Sequence, residues 1–329
     1  MITIIAVFLI ALAVTVVSTP WARRAAIGLG FVDAPAQRKL HGTPMPLMGG
    51  VAIFAGAIIA VALFAGELPR QVVGVVMASS IVALTGLVDD RRSLPAWIKL
   101  LGQLAGFSIL AYWGVRVRLP LPLWLNYVAT FVWLAGISNA INFLDNMDGL
   151  SAGISGVAAA FILLMGLQNG QFLVSSLAAA VLGACLGFLR YNFKPAQIFM
   201  GDVGALFLGF LLAVLGLQLR FPDNSNFVTW MVPVMILGLP IFDTTLVVIS
   251  RLRRGVSPNT AGKDHISHRL VAMGFGQREA VLLLYLAAGM FGLIALFVAE
   301  ATVFEGYVMG TAVALVALYA IWRLIKNES

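Results

Sequence analysis

Asp89 and Asp90 stand side by side where a long apolar stretch gives way to Arg91 and Arg92. An ionised carboxylate at the rim of an apolar segment is costly, and two adjacent ones repel. Such a pair is kept where a cation or a reacting phosphate offsets the cost. Mg2+ suits it, since that ion takes hard oxygen ligands, usually one or two carboxylates completed by substrate phosphates. The flanking guanidiniums suit phosphate oxygens. A charged helix cap with local ion pairing is the plainer alternative.

Further polar groups recur at comparable positions. Asn142, Asp145 and Asp148 follow every third residue at the end of another apolar run, which places them along one face if the backbone is helical. Asp202, in Phe199-Met200-Gly201-Asp202, opens a further apolar run, as a helix N-cap or as a cation ligand. Phe199 reads as an interface anchor or as a stacking surface for a base. A basic stretch carries Lys263, Asp264, His265, His268 and Arg269. His-x-x-His alone is half a transition-metal site, but without further soft ligands the carboxylates favour Mg2+ or Mn2+, and the basic groups suit a diphosphate. Arg38, Lys39 and His41 form a second, smaller basic stretch, and Lys194 precedes Pro195 near Asp202. Asp243 lies inside an apolar segment that Pro240 is expected to kink; a structural and a functional role are equally open to it.

The elements that must position these groups are transmembrane. Of 329 residues, 61% are hydrophobic and 11% charged, with mean hydropathy +0.98, more apolar surface than a soluble protein of this length can cover. Spans of roughly 20 residues are expected at about 1–19, 47–66, 70–88, 95–114, 122–141, 150–168, 171–189, 203–219, 228–249, 279–299 and 304–322, eleven helices in a single all-α membrane domain over 1–329. The first has no Lys or Arg before its apolar stretch, so it reads as an uncleaved helix with the N-terminus outside. Only Arg70, Arg116, Arg118 and Arg220 then lie outside, against 17 of the 21 Lys and Arg inside, the split that the positive-inside rule expects. The C-terminus and all the site residues fall on the cytoplasmic side. The net charge of +7 is therefore a topology signal and a counter-charge for phosphate, not a nucleic-acid footprint. The single cysteine, Cys185, excludes a disulfide framework or thiolate metal site and reads as a packing residue.

Taken in order, the Arg38-Lys39-x-His41 stretch, Gly49-Gly50, Asp89-Asp90, the Asn142/Asp145/Asp148 triplet, Phe199-Met200-Gly201-Asp202, Pro240-x-x-Asp243 and the histidine-bearing loop resemble the polyprenyl-phosphate N-acetylhexosamine-1-phosphate transferase superfamily over most of the chain. The short inner loops and Asp264-His265-x-x-His268-Arg269 resemble its bacterial UDP-N-acetylglucosamine branch, although Ser267 replaces a histidine that branch often carries. The resemblance implies a Mg2+-dependent enzyme of the bacterial inner membrane. It would move a sugar 1-phosphate from a UDP-sugar to undecaprenyl or another polyprenyl phosphate, release UMP and start a cell-envelope glycopolymer. Asp89 or Asp90 would keep the acceptor phosphate deprotonated, and Asp202 with Asp90 would hold the metal. Asn142, Asp145 and Asp148 would position nucleotide and metal. Arg38, Lys39, His41, Lys194, Phe199, Lys263, His265, His268 and Arg269 would face the substrates. A covalent aspartyl-phosphate route stays open, as do a homodimer and the identity of the acetamido sugar. The peptidoglycan branch of the superfamily is the nearest alternative, but its usual run of consecutive histidines is absent. A cation-coupled transporter is the rival of another class; carriers place their acids near the bilayer midplane, whereas here only Asp243 goes deep.

Overall fold

A computed structural model describes residues 1–33, 44–64, 69, 71–260 and 262–326. Arg38, Lys39 and His41 lie outside the described residues. The chain forms two compact units, 1–219 and 220–329.

The first unit holds α1 (Ile2–Leu29), α2 (Gly49–Ala62), α3 (Gln71–Arg92), α4 (Ala96–Tyr112), α5 (Leu123–Leu144), α6 (Leu150–Gln168), α7 (Phe172–Asn192) and α8 (Gly201–Gln218). Helix α8 is its axis. Apolar on every side, it buries nearly all of its residues, as a helix without a polar stripe must. Helices α2, α3, α5, α6 and α7 surround it, α1 packs on α2 and α7, and α4 lies across α3 and α5. Polar groups fasten α5 to α8: Ser138 Oγ donates to the Leu206 carbonyl at 3.0 Å and Trp133 Nε1 to that of Ala213 at 3.0 Å. A short antiparallel pair, β1 (Val32–Asp33) and β2 (Met45–Pro46), pairs Val32 with Pro46 and Asp33 with Met45. Its second strand leads to the loop before α8, where Phe199 N donates to the Pro46 carbonyl at 2.8 Å and Gly49 N to that of Phe199 at 3.0 Å.

The second unit holds α9 (Asn226–Thr229), α10 (Met231–Ile236), α11 (Gly238–Arg253), α12 (Ile266–Ala272), α13 (Gln277–Glu300) and α14 (Val303–Lys326). Helix α13 touches each of the others, and Leu246, Ile321 and Ile325 join α11 to α14.

Among the described residues eight helices are long and apolar enough to cross a membrane, or nine if the bent pair 226–236 and 238–253 is one span. Helices α2 and α4 are apolar but shorter, at 14 and 17 residues. The chain is thus an all-α polytopic membrane protein. Two segment expectations change. Helix α1 runs on to Leu29, through Pro20, and the Val16 carbonyl that the proline leaves without its helical donor accepts instead from the Tyr191 hydroxyl at 3.1 Å. The expected span over about 228–249 is broken by 70° at Leu237, ahead of Pro240. Pro240 sits in the first turn of α11, where its missing N–H has no intrahelical partner to lose.

Candidate active site

The last turn of α3 sends its two carboxylates in different directions, as neighbours about 100° apart on a helix must. Asp90 turns to the start of α8 and accepts from the amides of Asp202 at 2.7 Å and Val203 at 3.2 Å. It therefore satisfies two of the donors that a helix N-terminus leaves unpaired and sets its charge against the positive end of the helix dipole. Two glycines make room. Gly201 opens α8 at φ +73°, which a side chain resists, and a Cβ there would stand 2.6 Å from Asp90 Oδ2. Gly86 lets α3 approach so closely that a Cβ on it would lie 2.6 Å from the Asp202 carbonyl carbon and the Val203 nitrogen.

Asp89 faces α4. It accepts from the Leu94 amide, and its Oδ2 lies 2.9 Å from Lys99 Nζ. The same ammonium lies 3.0 Å from Asp202 Oδ2, so Lys99 bridges the two carboxylates. The exposures of 20% for Lys99, 9% for Asp89 and 27% for Asp202 leave this group partly open to water, with room for a ligand. Sequence reasoning counted Lys99 only as a topology charge. Its position ten residues past Asp89, on the face of α4 that carries the buried Gln103, Gly106 and Leu110, was the available signal.

The triplet divides. Helix α5 ends at Leu144, so the three-residue repeat does not continue on one helical face. The Asn142 side chain lies beside the Asp202 carboxylate. Asp145 follows as the helix cap; burial, then the charges of Asp202 and Asp148, push its carboxyl up to about 8. Asp148 turns to the loop before α8, where its Oδ2 accepts from Ala196 N at 3.0 Å and lies 3.4 Å from Lys194 Nζ. Asn192 ties the same loop down, accepting from Gly149 N at 2.9 Å and donating to the Ile198 carbonyl at 2.9 Å. Phe199 is held by its backbone bonds to Pro46 and Gly49, with a partly exposed ring.

The basic loop of the second unit is ordered around two carboxylates. Asp243 is fully buried; its Oδ2 lies 2.7 Å from His265 Nδ1 and its Oδ1 accepts from Ile266 N at 2.8 Å. The contact occupies Nδ1 and leaves Nε2 as the working nitrogen of the ring. Asp264 accepts from Arg251 Nε at 2.9 Å and pairs with Arg254. Arg269 gives Nε to the Asp264 carbonyl at 2.8 Å and Nη1 to that of Leu324 at 2.7 Å, a bracing arrangement within this unit. The rings of His265 and His268 are 6.3 Å apart. Burial, then the charges of His265 and Lys263, lower the His268 imidazole below its ordinary range. Lys263 is exposed.

Among the described residues no three carboxylates, histidines or cysteines gather tightly enough to hold a metal by protein ligands alone. Asp89 and Asp202 nonetheless form a hard-oxygen set around one ammonium. That set fits an ion such as Mg2+, which takes one or two carboxylates and completes its shell with phosphate and water.

The glycosyl transferase family 4 model matches residues 72–220, the stretch that holds α3 to α8. The chain is similar to a probable undecaprenyl-phosphate N-acetylglucosaminyl 1-phosphate transferase of Bacillus subtilis, 37% identical over 92% of this chain and 87% of that protein. It is also similar to a decaprenyl-phosphate N-acetylglucosaminephosphotransferase of Mycolicibacterium smegmatis, 32% identical over 95% of this chain and 87% of the other. A third relative, an undecaprenyl-phosphate alpha-N-acetylglucosaminyl 1-phosphate transferase of Yersinia pestis, is 29% identical over 88% and 82%. With likeness of this order across nearly its whole length, the chain belongs to glycosyl transferase family 4, in the polyprenyl-phosphate N-acetylhexosamine-1-phosphate transferase superfamily, and is a phosphoglycosyl transferase.

Proposed function

We propose that the protein transfers N-acetylglucosamine 1-phosphate from UDP-N-acetylglucosamine to undecaprenyl or another polyprenyl phosphate, releasing UMP and starting an envelope glycopolymer. The reaction runs at the cytoplasmic face of a bacterial inner membrane, with eleven spans and the N-terminus outside. The observation that carries the chemistry is the bridge from Asp89 through Lys99 to Asp202, beside Asn142 and Asp145, at the ends of apolar helices. Both substrates are anions, one soluble and one anchored in lipid. A transfer between them needs cationic groups at the membrane rim, held by acids that keep them in place. The names of the similar proteins support the sugar and the lipid acceptor.

In this reading one oxygen of the acceptor phosphate attacks the β-phosphorus of the donor in line. The bond from that phosphorus to the bridging oxygen breaks, and UMP leaves with the electron pair. Asp89 keeps the acceptor phosphate deprotonated, and Lys99 and Lys194 steady phosphate oxygens. Asp202, with Asp89 beside it, would hold Mg2+, which when bound supplies charge neutralisation at the diphosphate. Asp90 fixes the N-terminus of α8 and so aims Asp202. Asn142 and Asp145 orient the nucleotide side, with Phe199 as a surface for the base. In the second unit Arg269 braces the loop that carries Lys263, His265 and His268, whose basic groups suit a diphosphate.

The test is UMP release by purified, detergent-solubilised protein given UDP-N-acetylglucosamine, undecaprenyl phosphate and Mg2+, with Asp202→Asn and EDTA controls. Release should need the lipid and be lost in both controls. Release with a different UDP-sugar only would overturn the sugar assignment; no release from folded protein with any donor would overturn the reaction. Exchange of labelled UMP into the donor without lipid would refute the one-step route.

A further inference from the structure

One polar pair beneath the carboxylates has no role in the reaction described above. Gln103 in α4 is 1% exposed, and its Oε1 accepts from Asn139 Nδ2 in α5 at 3.1 Å. The Gln103 Nε2 donor, equally buried, has no hydrogen-bond partner among the described residues. A leucine would suit that stripe of α4, which continues to Gly106 and Leu110, and would carry no unpaired donor. Stability alone therefore favours an apolar residue, and the amide is to be explained by what it positions.

The positions of the pair identify the groups concerned. Gln103 is four residues after Lys99 on α4, and Asn139 is three residues before Asn142 on α5, so each lies one turn from a side chain that meets Asp202. Lys99 reaches Asp202 Oδ2 at 3.0 Å, and the Asn142 side chain lies beside the same carboxylate. Two rungs thus span α4 and α5. The upper one runs Lys99–Asp202–Asn142 and the lower one is the direct amide bond Gln103–Asn139. Asn139 Nδ2 also donates to the Ala135 carbonyl at 2.8 Å, which fixes its side chain against its own helix. Helix α4 has few other polar ties at this depth, and apolar side chains alone tolerate sliding by fractions of a turn.

We propose that the Gln103–Asn139 bond is a register pin: these are positioning residues that hold α4 against α5 so that Lys99 and Asn142 meet on Asp202. The link to turnover rests on the transferase reading above, whereas the pin itself is a statement about where Lys99 sits. The test uses the full-length protein in detergent, carrying Gln103→Leu, Asn139→Leu, or the exchange Gln103→Asn with Asn139→Gln, which keeps an amide pair of the same combined length. Pulse acetylation with acetic anhydride, read by mass spectrometry, compares Lys99 with the exposed Lys263. Each Leu variant should raise Lys99 labelling at least threefold and raise the half-saturating Mg2+ for turnover at least fivefold. The exchange should return both to within twofold of wild type. Folded Leu variants with Lys99 labelling unchanged would overturn the pin. Where the Leu variants do not fold, the exchange decides: protected Lys99 supports the pin, and a folded exchange variant with Lys99 exposed refutes it. A folded wild type that transfers nothing would overturn the transferase reading and leave the labelling comparison to judge the pin.

Discussion

Replacing Lys99 with Met removes the one ammonium between Asp89 and Asp202 while keeping most of its apolar stem. At about 3 Å and an effective dielectric near 20, each contact has a gross attraction of roughly 5 kcal/mol. Desolvation of the lysine cancels much of it. Removing one partner of a fully buried pair costs about 3–5 kcal/mol, and of an exposed pair about 0–1. With side-chain exposures of 20%, 9% and 27%, the site falls between these limits. We expect a loss of about 2 kcal/mol without metal, which for a unit of this length lowers Tm by about 4–8 °C. Mg2+ should stabilise the variant more than the wild type, because it no longer competes with an internal cation for Asp202. Binding at 100 times Kd is worth about 2.7 kcal/mol, enough to cancel the deficit. The protein carries its own reporter, since Cys185 is its only cysteine and is buried in α7, so a thiol-reactive fluorophore signals unfolding. An unchanged Tm in EDTA, or a smaller Mg2+ response than the wild type shows, would refute the bridge and with it the cation site.

Three further outcomes follow from the same geometry. Gly86→Ala inserts a methyl where Asp202 and Val203 backbone atoms lie 2.6 Å away, so α3 and α8 must separate; a loss of about 2–3 kcal/mol in thermal unfolding and at least a tenfold loss of UMP release are expected. Asp243→Asn removes the carboxylate that holds His265 Nδ1, and nitrogen NMR of selectively labelled histidine should show a changed tautomer mixture at His265, with His268 little altered. For Asp264, burial favours the neutral acid, but the Arg251 hydrogen bond and the charges of Arg254 and Arg251 outweigh it and hold the carboxyl below its ordinary range. A folded pKa below the unfolded one stabilises above about pH 4 and is lost as pH falls through the folded value. Resistance of residues 220–326 to proteolysis should therefore fall below about pH 4 in the wild type and stay flat between pH 5 and 3 in Asp264→Asn.

The sequence made the carboxylates legible because burying charge in lipid is expensive. Asp89, Asp90, Asp145, Asp148 and Asp202 stand out where an apolar run ends, and apolar run length alone located most of the helices. What it could not show is where a side chain turns once its helix is packed. Asp89 and Asp90 are equivalent as letters, yet a rotation of about 100° sends one to Lys99 and the other to the amides that open α8. The triplet read as one face because a period of three matches a helix; the chain instead leaves the helix at Leu144 and spends Asp148 on the loop at Ala196. Lys99 was hidden by the positive-inside rule itself, which explains every cytoplasmic lysine equally well. Asp243 was open between two roles because its partner lies 22 residues away, past a basic loop that gives no sign of folding back. In each case the missing quantity is a direction, and directions are fixed by close approach. Gly86 and Gly201 decide it here: without a Cβ at either place α3 and α8 can come near enough for the Asp90 carboxylate to reach the α8 amides, and that contact aims Asp202 back at Lys99.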